Sequence, residues 1–281
     1  MNITVVSSPE VFAEKAESLL LKKEACNNLM LGLLNRLLEN GKTNAEYYLG
    51  YVEINNQVIF AFMRTAPNNW IMADVDHVAD SVIASVANFM FENNLEVPGI
   101  LGPVRSTNLF VNKWTELTDG NASVHMEQLI YQLDKVNHVP MTDGILVEAN
   151  RAHHALLTQW LEQFGLQANE TITASKAART AINFINNRTV YLWEVEGVPV
   201  SMVNQSRKTK HGATINAVFT PDEFKRKGYA TSAVAALSRR ILEDGFQFCS
   251  LYTDKANPTS NSIYKKIGYY VVGDSIVYKF N

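Results

Sequence analysis

The sequence predicts an α/β (α+β) protein built from two copies of one domain. Apolar residues recur at helical spacing in some segments and form β-rich runs in others, and both kinds of segment occur throughout the chain. Their order starts again at about residue 143. The chain has 281 residues, of which 47% are apolar, and this is enough for two domains with ordinary cores. We therefore expect a duplicated domain.

Two helices open the first half. Apolar residues at helical spacing run from residue 11 to residue 40, and the spacing is broken at residues 24–27. The β-rich runs YYLGYVEI and VIFAFMRTA lie on either side of Asn55 and Asn56, which predicts a hairpin. The elements predicted after this hairpin are a strand at NWIMADV, a helix over about residues 77–93, a strand at ILGPV, a helix over about residues 108–117 and a strand at HMEQLIYQL.

The second half repeats this order. It begins with a strand at GILVEA, two helices at about residues 152–164 and 176–185, and the strands TVYLWEV, VPVSMVNQ and ATINAVF. The remaining predicted elements are a helix over residues 229–243 that ends before Gly245, a strand at FQFCSLYT, a helix over about residues 259–266, and a closing hairpin formed by GYYVVG and SIVYKF. The boundary falls in NHVPMTDG, so the predicted domains are residues 1–140 and 141–281.

The composition excludes several classes of partner. The formal net charge is −3, which gives no general attraction to nucleic acid or to an anionic membrane, so a basic cluster in this chain serves a small ligand. The two cysteines, Cys26 and Cys249, do not have the spacing of a zinc site, and they suit a reducing compartment. No signal peptide or long apolar span is recognisable. We expect a cytoplasmic protein without a metal, nucleic-acid or membrane partner.

A basic loop precedes the helix predicted over residues 229–243. Lys225, Arg226 and Lys227 are followed directly by Gly228. Backbone N–H groups at a helix N-terminus lack intrahelical partners and favour anions, and a glycine lets the backbone approach a phosphate closely. The loop matches neither a Walker A motif nor G-x-G-x-x-G. Taken alone, it is either a phosphate site or a solvated basic loop.

A second motif follows near the end of the chain. Asn257 is followed seven residues later by Tyr264, and then by Gly268 and Tyr269. An amide at a strand end and a phenol on the next helix can together hold an amide-bearing ligand and supply a proton. Turn chemistry at Asn257 and a half-buried aromatic at Tyr264 are the alternative interpretation.

Together, the two motifs resemble the GNAT superfamily of acyl-CoA-dependent N-acyltransferases. The loop of that family, Arg/Gln-x-x-Gly-x-Gly/Ala, stands here as residues 225–230, and its later motif stands as Asn257, Tyr264, Gly268 and Tyr269. Lys225 departs from the family's Arg or Gln, which keeps a charge but loses a planar fork. The resemblance covers residues 143–281. It implies tandem mixed sheets flanked by helices, with an intact C-terminal copy and a degenerate N-terminal copy.

The resemblance also implies roles for individual residues. It implies acetyl-CoA as a co-substrate, and Tyr264 as the general acid in direct attack by an amine of a small molecule or peptide. The base is left unassigned, because ATINAVFTP contains no carboxylate, Asn216 can at most orient a water, and Glu194 and Asp254 are weak candidates. Cys249 is expected in the core. The residues expected to bind the co-substrate are Val218, Phe219, Thr220, Lys225, Arg226, Lys227, Gly228, Tyr229, Ala230, Thr231, Asn257 and Ser260.

The first copy is expected not to bind CoA. Its counterpart of the phosphate loop contains Asp74, Asp76 and Asp80 and no glycine, so it repels a pyrophosphate. Those acids either attract a cationic amine or form a solvated turn. Two other functions stay open: a non-catalytic acyl-CoA-binding regulatory protein, and a tandem transferase that uses aminoacyl-tRNA, against which the basic loop counts. The sequence leaves the acceptor and the oligomeric state open.

Overall fold

The computed structural model describes residues 1–40, 46–168 and 171–280, which form two compact units. The first unit contains Met1–Tyr131, Tyr252–Asn257 and Val271–Asn281, and the second contains Gln132–Leu251 and Pro258–Tyr270. The units are therefore not two continuous stretches of chain. The domains predicted from sequence, residues 1–140 and 141–281, describe the two copies along the chain, and they stay a prediction.

The first copy runs from strand to strand through four helices. Its elements are β1 (Asn2–Val6), α1 (Pro9–Leu21), α2 (Asn28–Asn40), β2 (Tyr47–Ile54), β3 (Gln57–Thr65), β4 (Trp70–Met72), α3 (Asp80–Glu92), β5 (Gly99–Gly102), α4 (Val104–Thr118) and β6 (Ala122–Leu133). The break that the sequence predicts at residues 24–27 separates α1 from α2.

The second copy has the same order of helices and strands. Its elements are β7 (Ile145–Glu148), α5 (His154–Gln167), α6 (Ala174–Asn186), β8 (Val190–Val195), β9 (Val198–Lys208), β10 (Gly212–Phe219), α7 (Tyr229–Glu243), β11 (Phe248–Asp254), α8 (Pro258–Ile267) and β12 (Tyr270–Phe280). The tandem α/β fold predicted from the sequence is confirmed.

The pairing of strands also repeats. The strand order is β1-β2-β3-β4-β5-β12-β6 in the first unit and β11-β10-β9-β8-β7 in the second. Strand β4 pairs with β5 in parallel, and β10 pairs with β11 in parallel, whereas their neighbours β3 and β9 are antiparallel to them. Helices α3 and α7 make the crossovers that parallel pairs need. Each unit thus contains a mixed sheet with a parallel pair.

Side chains of a strand alternate between the two faces of its sheet, so apolar strands have apolar side chains on both faces. Helices pack on these faces and bury them. On β3, Phe60 and Phe62 pack in the cluster that contains α3 and α4, whereas Ala61 and Met63 pack in the cluster of α1 and α2. In the second unit, α5 and α6 pack on residues of β8 to β10, including Phe219. Among the described ranges, no helix is long and apolar enough to cross a membrane.

Two strand assignments differ from the sequence prediction. Strand β1 was not predicted, because five residues at an edge give too short a pattern to recognise. The closing hairpin was wrong, since β12 is one continuous strand. Gly273 does not turn the chain. It is needed for close packing, because a Cβ there would lie 2.8 Å from Cys26 Sγ.

Candidate active site

Strands β10 and β11 run side by side only at their beginnings. Residues 212–214 pair with residues 248–250, and at the last pair Thr214 Oγ1 lies 3.0 Å from Ser250 Oγ. Strand β10 continues to Phe219 and β11 continues past Ser250, with no further pair between the two strands in the described part of the chain. Parallel strands that part in this way leave backbone N–H and C=O groups for an extended ligand.

A bulge lies in β10 beyond this parting point. Asn216 pairs with Asn204 and Phe219 pairs with Met202, so β10 has one residue more than β9 over this stretch. Ala217 has a φ of 47°, in the left-handed region that a non-glycine residue seldom occupies. Bulges and such backbone torsions are concentrated near functional sites. The structure thus places an irregular backbone where the strands part.

Three residues at the end of β10 and directly after it are ones that the resemblance assigns to the co-substrate. Val218 is half-buried, whereas the Phe219 side chain is buried in the core beside Trp160, with the ring centroids 6.1 Å apart. Ser201 Oγ donates to the Phe219 carbonyl at 3.0 Å and lies 2.9 Å from Thr220 Oγ1. The side chain of Phe219 therefore serves the core, and its carbonyl already has a partner.

The basic loop has the backbone of an anion site. Arg226 and Gly228 have φ values of 62° and 87°, so the loop turns twice through the left-handed region before α7 begins. Gly228 is the N-cap residue of α7 and makes no side-chain cap. The first helical hydrogen bond runs from Ser232 N to the Gly228 carbonyl at 3.0 Å. The N–H groups of residues 229–231 therefore point out of the helix end, where the macrodipole favours an anion.

The cationic side chains of the loop lie at the surface. Lys225 Nζ is 2.7 Å from Asp222 Oδ1, and Lys227 Nζ lies 5.7 Å from the centre of the Phe224 ring. Asp222 offsets part of the charge of Lys225 and was not among the residues predicted from the sequence. An exposed pair of this kind is worth little energy, so Lys225 is able to leave it for a phosphate.

Asn257 lies in the turn that leads into α8. Its N–H donates to the Asp254 carbonyl at 3.0 Å, and the Asp254 carboxylate accepts from Ala256 N at 2.8 Å. Asn257 is exposed directly before Pro258, and Ser260 is half-buried in the first helical turn. The co-substrate roles of Asn257 and Ser260 stay predictions.

Tyr264 lies on α8 with only 8% of its surface exposed. Burial raises the pKa of its phenol to about 12. Its ring makes an edge contact with Tyr269 at 5.9 Å between centroids, and Tyr269 Oη lies 2.9 Å from Ser238 Oγ. Tyr264 therefore stays protonated at neutral pH. Cys249 is fully buried and burial raises its pKa to about 12, which suits the core role expected for it.

Asn204 is a buried amide that the sequence analysis did not single out. It is fully buried, and its Nδ2 donates to Oδ1 of the exposed Asn216 at 2.7 Å. Its own Oδ1 has no hydrogen-bond partner among the described residues. An unsatisfied buried amide oxygen costs about 1–3 kcal/mol. The buried amide of Asn204 thus lowers the stability of the fold, and it holds the exposed side chain of Asn216 in place beside the bulge.

This cost can be measured. We expect Asn204→Leu to leave the free energy of unfolding unchanged or to raise it by about 1 kcal/mol, because a buried apolar group of similar size replaces an unsatisfied amide. Urea denaturation measures the change. Asn204→Ala is the control, since it removes the same amide but leaves a cavity, and it should be less stable than Asn204→Leu. A loss above about 2 kcal/mol in Asn204→Leu would contradict the interpretation.

The structure leaves the base unassigned. Glu194 Oε1 lies 3.9 Å from His153 Nε2. Glu194 pairs with Pro199 near the C-terminal end of β8, whereas it is the N-terminal residue of β8, Val190, that pairs with Asn204. Asp254 holds the turn described above. Across the described ranges, no group of three or more His, Cys, Asp or Glu side chains is arranged to hold a metal ion.

The first copy has carboxylates at the corresponding place. Strands β4 and β5 pair only at residues 70–71 and 100–101, and the segment after β4 leads into α3. Lys23 Nζ lies 2.7 Å from Asp74 and 3.6 Å from Asp76, and Asp80 is ion-paired with Arg105. A cleft of about 580 Å³ is lined by several of these residues. Lysine and arginine offset part of the acidic charge, and the expectation that this copy does not bind CoA stays a prediction.

Each copy contains a pair of parallel strands that separate along their length, and a helix connects the two strands of the pair. Two such copies form a tandem GNAT fold, and comparisons with known proteins agree. Residues 195–276 match the model of the family described as FR47-like protein. No curated protein matches the sequence. The chain has the fold of GNAT proteins, and the resemblance seen in the sequence is confirmed at the level of the fold.

Several solved structures share this fold over both copies. An acetyltransferase of the GNAT family from Colwellia psychrerythraea is 13% identical, with a TM-score of 0.60 and coverage of 100% of this chain and 99% of its own. A GCN5-related N-acetyltransferase from Sphaerobacter thermophilus is 9% identical, with a TM-score of 0.63 and coverage of 98% and 94%. A tandem GNAT protein from the clavulanic acid biosynthesis pathway is 12% identical, with a TM-score of 0.54 and coverage of 100% and 98%.

Proposed function

We propose that the second copy binds acetyl-CoA and transfers its acetyl group to a primary amine of a small molecule or peptide. The observation that carries this proposal is the uncapped N-terminus of α7 next to the end of β10, where β10 has parted from β11. A phosphate group suits the first feature and an extended amide chain suits the second. The match to the FR47-like family includes both features.

Different residues bind different parts of the co-substrate. Backbone groups of Val218 and Thr220 pair with the amides of the pantetheine arm, because β10 has no strand partner on that side beyond Thr214 in the described part of the chain. The N–H groups of residues 229–231 donate hydrogen bonds to the pyrophosphate, and the exposed cations of residues 225–227 add long-range attraction. Acetyl-CoA supplies the activated acyl group as a thioester.

The transfer is a direct attack by a neutral amine. The amine nitrogen bonds to the thioester carbon, the C–S bond breaks, and the thiolate leaves. The pKa of Tyr264 is about 12, above the value of about 8.5 for an ordinary thiol, so complete proton transfer from the phenol to the thiolate is uphill. Tyr264 therefore donates a hydrogen bond that stabilises the developing thiolate. The proton that the thiol finally gains is the one that the amine loses.

Isothermal titration with acetyl-CoA, and separately with free CoA, tests the proposal. We expect saturable binding of one ligand per chain, followed by thiol release when a panel of amines is added. Binding without thiol release from any amine would favour the regulatory protein over the enzyme. A well-folded protein that binds neither ligand would overturn the proposal.

A further inference from the structure

The segment between β6 and β7, residues 134–144, is attached to the first turns of α7. Thr142 N donates to Ser232 Oγ at 2.9 Å, and Thr142 Oγ1 donates to the same oxygen at 3.0 Å. Ser232 is fully buried, so these hydrogen bonds are protected from water. In the sequence, this segment is recognisable only as a boundary between the copies.

Thr142 also contacts the residue at which the basic loop becomes a helix. A Cβ atom built on Gly228 would lie 3.0 Å from Thr142 Cγ2, so the threonine methyl group rests against the backbone of Gly228. Gly228 has a φ of 87° and sets the direction in which the first N–H groups of α7 point. One residue thus contacts both the N-cap and the first buried hydroxyl of the helix.

The segment is held on both sides of Thr142. Asn137 N donates to the Ile267 carbonyl at 2.8 Å, and Trp193 Nε1 donates to the Asp143 carbonyl at 3.1 Å. These hydrogen bonds attach the segment to the end of α8 and to β8. Thr142 is therefore supported by its neighbours, and its position against α7 does not depend on its own side chain alone.

We propose that Thr142 is a positioning residue for the phosphate site of α7. Its methyl group restricts the torsion of Gly228, and its hydrogen bonds to Ser232 fix the first turn, so the N–H groups of residues 229–231 are oriented before the ligand arrives. Orientation in advance lowers the entropy lost on binding and thereby raises affinity. The inference rests on the proposed function, since it concerns how the same site holds a pyrophosphate.

Thr142→Val tests the proposal, because valine keeps the shape and the methyl group but loses the hydroxyl. We expect the Kd for CoA to rise about fivefold, the usual effect of one hydrogen bond. The Kd for pantetheine, which lacks the pyrophosphate, should not change when it is followed by NMR titration. Thr142→Ser restores the hydroxyl and should bind CoA more tightly than Thr142→Val does. Thr158→Val is the matched control, since it removes a half-buried hydroxyl from α5 of the same unit.

The outcomes separate this inference from the proposed function. Unchanged affinity for CoA in Thr142→Val would overturn the positioning role while leaving the proposed function intact. An equal loss of CoA and pantetheine binding would also overturn it, because a general loss of structure does not discriminate between the two ligands. Absence of CoA binding in the unaltered protein would overturn both.

Discussion

Replacing Gly228 by glutamate is expected to weaken acetyl-CoA binding about 100-fold. The backbone of Gly228 has a φ of 87°, a conformation that costs a residue with a Cβ about 1–2 kcal/mol. The new Cβ would lie 3.0 Å from Thr142 Cγ2, so the loop has to shift. The carboxylate also places a negative charge where the helix end favours an anionic ligand. Because the loop has to return to this strained conformation to hold the ligand, the strain and the charge together come to about the 2.7 kcal/mol that a 100-fold change in Kd requires.

Gly197→Glu is a control with matched backbone strain. Gly197 has a φ of 79°, lies in the turn between β8 and β9, and has no other atom within 4 Å of a Cβ built on it. It should lose a similar amount of stability in a thermal melt but keep its affinity for acetyl-CoA in a titration. Two results would contradict the assignment of the loop: undiminished binding by Gly228→Glu, or an equal loss of binding by both variants.

The elements that sequence predicted well are those whose signals are local. Helix α7 was predicted with its observed bounds, because an apolar stripe continues over four turns between Gly228 and Gly245. The two copies were recognisable because long helices and β-rich runs recur in one order. The basic loop before α7 was recognisable because its motif lies within six residues.

The features that sequence could not predict depend on residues far apart in the chain. Thr142 meets Ser232 across 90 positions, and neither residue alone differs from an ordinary polar residue. In the sequence, Asn204 is an isolated amide in an apolar strand. Only the pairing of β9 with β10 in the structure brings Asn216 beside it. The glycine at 273 suggested a turn, although its role is to let Cys26 approach the backbone. Packing decides such cases, and a single sequence does not encode it in a short pattern.

Removing the hydroxyl of Tyr264 is expected to lower kcat about 100-fold with little change in KM, because the proposed hydrogen bond to the thiolate forms only as the C–S bond breaks. The pH dependence follows from the pKa of about 12. A group with this raised pKa stays protonated as the pH rises from 6 to 10, so the rate should increase with deprotonation of the amine and show no decline below about pH 10. An ordinary tyrosine, with a pKa near 10, would already begin to lose its proton above about pH 9.

Tyr269→Phe is the control for Tyr264→Phe. Tyr269 is also buried and lies in edge contact with Tyr264, and its hydroxyl lies within hydrogen-bond distance of Ser238, so its loss should reduce stability by about 1 kcal/mol without a change in kcat. Rates are to be measured by thiol release at saturating acetyl-CoA from pH 6 to pH 10. If Tyr264→Phe keeps the kcat of the unaltered protein at every pH, the amine and the backbone of the cleft carry the reaction without a phenol. If both variants lose kcat equally, the effect lies in the packing of α8 rather than in the Tyr264 hydroxyl.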